Sequence, residues 1–104
     1  MKLVGLVDDV FLLSKIEGTI KNKGLDIKFL SADDIENREF DWVIVDMHHA
    51  DAFRIIDKFP DKALCFGAHT RTELFDKAKS AGCKHAYSRS VFFEKLPKKL
   101  SLDD

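Results

Sequence analysis

Residues 41–49, Asp41-Trp42-Val43-Ile44-Val45-Asp46-Met47-His48-His49, decide how this chain is read. An aromatic and three β-branched residues run without a polar break from one acid to the next, the pattern of a short strand buried on both faces. Such a strand delivers Asp46 to its carboxyl end. A second stretch, Lys2-Leu3-Val4-Gly5-Leu6-Val7, stops in the same way at Asp8-Asp9. Open parallel sheets covered by helices bind ligands in the crevice beyond the carboxyl ends of their strands. Two apolar strands that end in carboxylates therefore predict one acidic pocket built from Asp8, Asp9 and Asp46.

The segments on either side alternate between helical and extended patterns. Leu12, Leu13, Ile16 and Ile20 recur at spacings of three and four over Val10–Lys23, with Gly24 at the place of a left-handed stop. Ile27, Phe29 and Leu30 alternate with polar residues, as in an edge strand or its neighbour. Ser31, with Asp34 three residues on, opens a short helix whose apolar content before Phe40 is little more than Ile35. Ala52, Phe53, Ile55, Ile56 and Phe59 trace another helical face, which Pro60 ends. Ala63-Leu64-Cys65-Phe66 is a fourth strand, stopped by Gly67. Thr70-Arg71-Thr72-Glu73 reads as a capping box for a helix that carries Leu74, Phe75, Ala78 and Ala81 and ends at Gly82. His85-Ala86-Tyr87 is a brief fifth strand, and Ser90 is the expected cap of a last helix that is short, kinked or restarted at Pro97. Right-handed crossovers turn this order into a five-stranded parallel sheet, order 2-1-3-4-5, with helices on both faces. In that order the first and third strands are neighbours, and their terminal acids converge.

Size and composition limit the function. With 104 residues the chain is expected to form one domain, 1–104, with a single core. Apolar residues make up 45% and charged residues 34%, and the net charge is -1, so no global field draws the protein to nucleic acid or to an anionic membrane surface. No apolar run approaches the roughly 18 residues of a membrane span, and a cytoplasmic location is expected. Cys65 and Cys83 lack the close spacing of a zinc site or a redox pair and are read as reduced thiols, Cys65 in the core. Gly-rich phosphate loops, a nucleophile elbow and the interleaved aromatic and basic residues of single-strand binders are absent from the sequence.

Three neighbouring carboxylates repel one another and together favour a hard divalent cation, most naturally magnesium (Mg2+). A carboxylate so placed can also accept a phosphoryl group as an acyl phosphate. His48 and His49 follow Asp46 directly, and His69 leaves the fourth strand. Imidazoles and carboxylates together bind zinc, nickel or manganese, although loop histidines in solvent are the more ordinary reading. His69 has a further expected use: it could fill the space that Gly67 leaves empty and pair with Asp46.

The endings Leu6-Val7-Asp8-Asp9 and Val43-Ile44-Val45-Asp46, with Ala81-Gly82 before the last strand, resemble the receiver domain of two-component response regulators, over essentially the whole chain. The resemblance implies the flavodoxin-like fold, Asp46 as phosphoacceptor, and Asp8, Asp9 and Asp46 as magnesium ligands. It also implies contact with a sensor kinase or other signalling protein, and it allows a homodimer. The departures are equally specific. Receivers carry Ser or Thr where Gly67 stands, followed here by Ala68, and a Lys before Pro where Arg89-Ser90 stands. Their switch aromatic falls on Ala86, beside Tyr87, and the loop after Asp46 is shorter and lacks the usual Pro and Gly. Arg89 keeps a positive charge that could hold phosphate in a two-pronged hydrogen bond. Gly67, Ala68, His69 and Arg89 are accordingly the candidate phosphoryl contacts.

Phe92 and Phe93 cannot both face a core from adjacent helix positions, so they and Tyr87 are candidates for a partner surface, and Phe11 is similar. The expected function is receiver-like signalling through protein contact rather than enzymatic turnover. One alternative is a pseudo-receiver whose contacts ignore phosphorylation. The other is a small metal-dependent hydrolase using the acids with His48, His49 or His69.

Overall fold

The computed structural model describes residues 1–100, so residues 101–104 of the expected domain lie outside the described part. Strands and helices alternate: β1 (Leu3–Leu6), α1 (Val10–Lys21), β2 (Ile27–Phe29), α2 (Ala32–Glu36), β3 (Trp42–Asp46), α3 (Ala52–Lys58), β4 (Ala63–Gly67), α4 (Thr72–Ser80), β5 (Ala86–Ser88) and α5 (Arg89–Lys99). The strands form one parallel sheet in the order β2-β1-β3-β4-β5, as the sequence predicts. Val4 pairs with Val43 and Leu6 with Val45, which sets the ends of β1 and β3 side by side.

Side chains alternate across this sheet and divide the core in two. Val4, Leu6, Val43, Val45, Ala63 and Cys65 face α2, α3 and α4 through Ile35, Ile55, Ile56 and Ala78. Leu3, Ile44, Leu64 and Phe66 face α1 and α5 through Ile16, Ile20, Phe92 and Leu96. The short α2 is tied to α3 by Arg54, which reaches both Asp33 and Glu36, and by Lys58, 3.4 Å from Glu36. Gly5 has a role the sequence does not announce: a Cβ there would lie 2.7 Å from the Phe29 ring, so the close fit of β2 over β1 depends on its absence.

Three element boundaries differ from expectation. The box at Thr70–Glu73 does not cap α4. The helix begins at Thr72, its N-cap Arg71 makes no side-chain cap bond, and Glu73 pairs instead with the Arg71 guanidinium beside it. Strand β5 is displaced by one residue to Ala86–Ser88, because Phe66 pairs with Tyr87 and Gly67 with Ser88. Helix α5 starts at Arg89 with Ser88 as N-cap, ahead of the expected Ser90, and continues through Pro97 without a restart. Pro97 costs one backbone bond near the helix end, where packing of Phe92, Leu96 and Leu100 against the sheet holds the turn.

Candidate functional site

Strand β3 places Asp46 at the predicted position, and the residue is 6% exposed, the one charged side chain in the core among the described residues. Its Oδ1 accepts the backbone N–H of His48 at 2.9 Å. No other protein donor reaches the carboxylate among the described residues, and no buried side-chain polar atom there lacks a partner, so Oδ2 keeps contact with solvent. Asp46 is therefore a fixed carboxylate with one open oxygen.

Asp8 and Asp9 are otherwise engaged. Asp9 is the N-cap of α1, its Oδ1 accepting from Phe11 N at 2.9 Å and Leu12 N at 3.1 Å. The Asp8 side chain is 85% exposed, and its Oδ2 lies 3.3 Å from Nε2 of His49, which is 12% exposed. Nδ1 of His49 accepts the backbone N–H of Asp51 at 3.0 Å, so its ring proton sits on Nε2 and points to Asp8. The contact sets the imidazole of His49 beside the Asp8 carboxylate. Among the described residues no three His, Cys, Asp or Glu side chains gather where they could hold a metal ion. The acids sit at neighbouring strand ends without gathering into a cluster of three such side chains, and the same holds for His48, His49 and His69.

The space opposite Gly67 is filled by a part of the chain that the sequence reading did not name. A Cβ on Gly67 would lie 3.0 Å from Met47 Cε and 3.5 Å from His48 Nε2. Met47 is buried at 2% exposure, and its backbone N–H bonds to Phe66 O at 2.9 Å. His48 Nε2 accepts the Ala68 N–H at 3.0 Å. His69, expected to fill this space and pair with Asp46, is exposed and makes no hydrogen bond among the described residues. The reason is the short loop after Asp46, which turns His48 onto the end of β4 before His69 has left it. A sequence signal for Met47 exists: the alternation Val43, Val45 continues to it one residue beyond the strand, on the same core face.

The ends of β4 and β5 are open instead. Gly67, Ala68, His69, Thr70, Ser88, Arg89 and Ser90 line a cleft of about 320 Å³. Arg89, exposed at the first turn of α5, is one of the residues lining this opening. A second hollow, of about 590 Å³, lies between the ends of β1 and β2 and includes Asp8 and His49. Asp46 lines neither.

One of the partner-surface candidates needs correction. Phe92 is 1% exposed and packs on Phe66 with ring centroids 4.8 Å apart, so it is a core residue and no anchor for a partner. Phe93 is half-buried, with Lys15 Nζ 4.2 Å over its ring. Tyr87 is also half-buried, its hydroxyl 3.2 Å from His85 Nδ1. The most exposed large apolar side chains among the described residues are Phe11, 88% exposed, and Val10, 70% exposed, directly after the two acids.

No protein-family model matches the chain, and no curated protein matches it in sequence. Solved structures do match. A response regulator from Thermotoga maritima is similar at 15% identity and a TM-score of 0.72, over 96% of this chain and 94% of that one. A response regulator receiver domain protein from Methanospirillum hungatei is similar at 18% identity and a TM-score of 0.76, over 96% and 90%. The fold is that of the response-regulator receiver domain. An orphan response regulator of H. pylori, at 16% identity and a TM-score of 0.74, covers 97% of both chains. At these identities the likeness carries the architecture of the receiver, and the chemistry rests on the side chains described above. Among the described residues no helix is long and apolar enough to cross a membrane.

Proposed function

We propose that this chain is a receiver-like signalling module that works by protein contact, with a receiver architecture whose usual phosphoryl relay has been replaced by fixed packing. The observation that carries the reading is the contact of Met47 and His48 with Gly67. In a receiver a hydroxyl at that place moves toward a bound phosphoryl group. Here there is no hydroxyl, and the space it would cross holds Met47 Cε and the His48 ring, the latter bonded to Ala68 N–H. A pseudo-receiver of this kind would present a constant surface to another signalling protein, or to a second copy of itself. Phe11 and Val10 beside Asp8 and Asp9 supply one exposed apolar and acidic patch for such a contact.

A second reading is supported by the open Oδ2 of Asp46. That oxygen is a candidate phosphoacceptor, and Arg89, in the cleft at the ends of β4 and β5, is the candidate cation for a phosphoryl oxygen. It needs the charge of the acids to be offset, and magnesium held through one or two of Asp8, Asp9 and Asp46 with retained waters would do so. One experiment separates the readings. The chain is incubated with magnesium and acetyl phosphate and its intact mass is recorded, with Asp46→Asn as control. The pseudo-receiver reading expects no adduct, whereas a gain of ~80 Da lost in Asp46→Asn would establish Asp46 as an acceptor and overturn it.

A further inference from the structure

Cys65 and Cys83 are 18 residues apart in sequence, and their spacing gives no reason to connect them. The fold does. Cys65 is on the interior strand β4, on the core face shared with α4, and Cys83 is on the turn between α4 and β5. Their sulfurs lie 3.7 Å apart, both thiols free and buried in the same core face. Two thiols in van der Waals contact need to close by less than 2 Å to reach the ~2.05 Å of a disulfide. Gly82, just before Cys83, ends α4 at φ +92, and a Cβ there would have only Pro60 near it at 3.8 Å.

The two sulfurs are not equivalent. Cys65 is fully buried, whereas Cys83 lines an open groove of about 600 Å³ together with Phe75, Asp76, Lys79 and Lys84. The hydrogen bond shared by the two sulfurs draws the Cys83 thiol down to about 7. The His85 backbone N–H adds to this, while burial works against it. The same hydrogen bond together with burial pushes the Cys65 thiol well up. Cys83, 6% exposed, is the residue at the groove wall, its Sγ 3.7 Å from Cys65 Sγ and 3.6 Å from Ala63 O, while Cys65 lies behind it at 0%.

We propose that Cys83 and Cys65 are a peroxide-reactive dithiol pair, with Cys83 the attacking sulfur at the α4–β5 groove and Cys65 the resolving one. The Cys83 thiolate attacks one oxygen of a small hydroperoxide. An S–O bond forms, the O–O bond breaks, and the leaving hydroxide takes a proton to become water. The Cys65 thiol then condenses with the Cys83 sulfenic acid: the S–S bond forms, the S–O bond breaks, and a second water leaves with the Cys65 proton. The two sulfurs together lose two electrons, which the hydroperoxide accepts. The product ties the interior of β4 to the entry of β5 and draws the Gly82–Cys83 turn toward the sheet. This modification site is independent of how Asp46 is used.

The test treats the native, fully reduced chain near neutral pH with hydrogen peroxide, and follows intact mass, thiol titre after denaturation, and the peptide map. The expected result is loss of both thiols together, a decrease of ~2 Da, a Cys65–Cys83 cross-linked peptide, and full recovery with dithiothreitol. Cys65→Ala should convert the product into a Cys83 sulfenic acid that dimedone traps, and Cys83→Ala should leave Cys65 unreactive while the chain stays folded. If Cys65→Ala fails to fold, Cys83→Ala and the wild-type cross-link carry the test. Thiols that persist in the folded chain but react once it is unfolded would overturn the proposal. So would disulfides between chains, or oxygen added to Cys83 with Cys65 still free.

Discussion

The two openings at the carboxyl edge of the sheet differ. Between β3 and β4 the chain is closed: Met47 is buried against Gly67, and His48 holds Ala68. Between β4 and β5 it is open: Gly67–Thr70 and Ser88–Ser90 line a cleft with Arg89 exposed at its mouth. The strands beneath differ as well, β3 and β4 being buried and the edge strand β5 half-buried. The loop side chains complete the difference. A fold can keep the carboxylate of a signalling site in place while a methionine and a histidine take the room in which the signal would have moved.

Substitutions at each opening test this contrast. The largest effect belongs under the open side, where Phe92 packs on Phe66 and anchors α5. Phe92→Ala should cost about 3–5 kcal/mol, read from the urea midpoint. A loss below about 1 kcal/mol would return Phe92 to the surface role that the sequence suggested for it. At the closed side, Gly67→Thr forces atoms into Met47 and His48 and should cost about 1–3 kcal/mol, with partial recovery in Gly67→Thr/Met47→Ala. A neutral Gly67→Thr would mean that the loop is not closed. His48→Ala removes the acceptor of the Ala68 N–H and should lower stability by about 1 kcal/mol and speed amide exchange at Ala68. Arg89→Ala, at an exposed position, should stay within about 0.5 kcal/mol of the parent, which sharpens the difference between the two sides.

The smallest expected effect is a pH dependence. Burial lowers the affinity of His85 for its proton from the usual 6.5, and the positive charges of Lys99 and Lys84 add to this. The folded chain thus binds that proton more weakly than the unfolded one. The contribution is present above 6.5 and is lost as pH falls through the lowered folded value. The denaturation midpoint should decline gently below about pH 6.5, and His85→Gln should flatten that decline. An unchanged slope in His85→Gln would assign the acid sensitivity elsewhere.

The sheet was legible because its signals are local and redundant. Trp42–Val45 and Ala63–Phe66 are apolar runs with one reading, and Gly24 and Gly82 stand at positive φ where helices stop. The positions of Asp8, Asp9 and Asp46 followed from strand ends. Their partners did not, because a side chain near a helix start can cap it, as Asp9 does, or leave it for a ligand, and the sequence is the same in both cases. Thr70–Glu73 shows the converse: a good capping pattern is overridden when the chain needs two more residues to leave β4. The contacts of Met47 with Gly67 and of Cys65 with Cys83 join residues 20 and 18 apart and depend on register, which no spacing rule carries.

Titration of the chain with magnesium and beryllofluoride, followed by backbone amide shifts with Asp46→Asn as control, tests the central claim most directly. Fixed packing at Gly67 predicts no Asp46-dependent shift at Gly67, Ala68 or Arg89 at saturating magnesium. Asp46-dependent shifts that spread from His48 to Gly67, Ala68 and Arg89 would show a site that binds the phosphoryl mimic and moves with it, and would contradict the account.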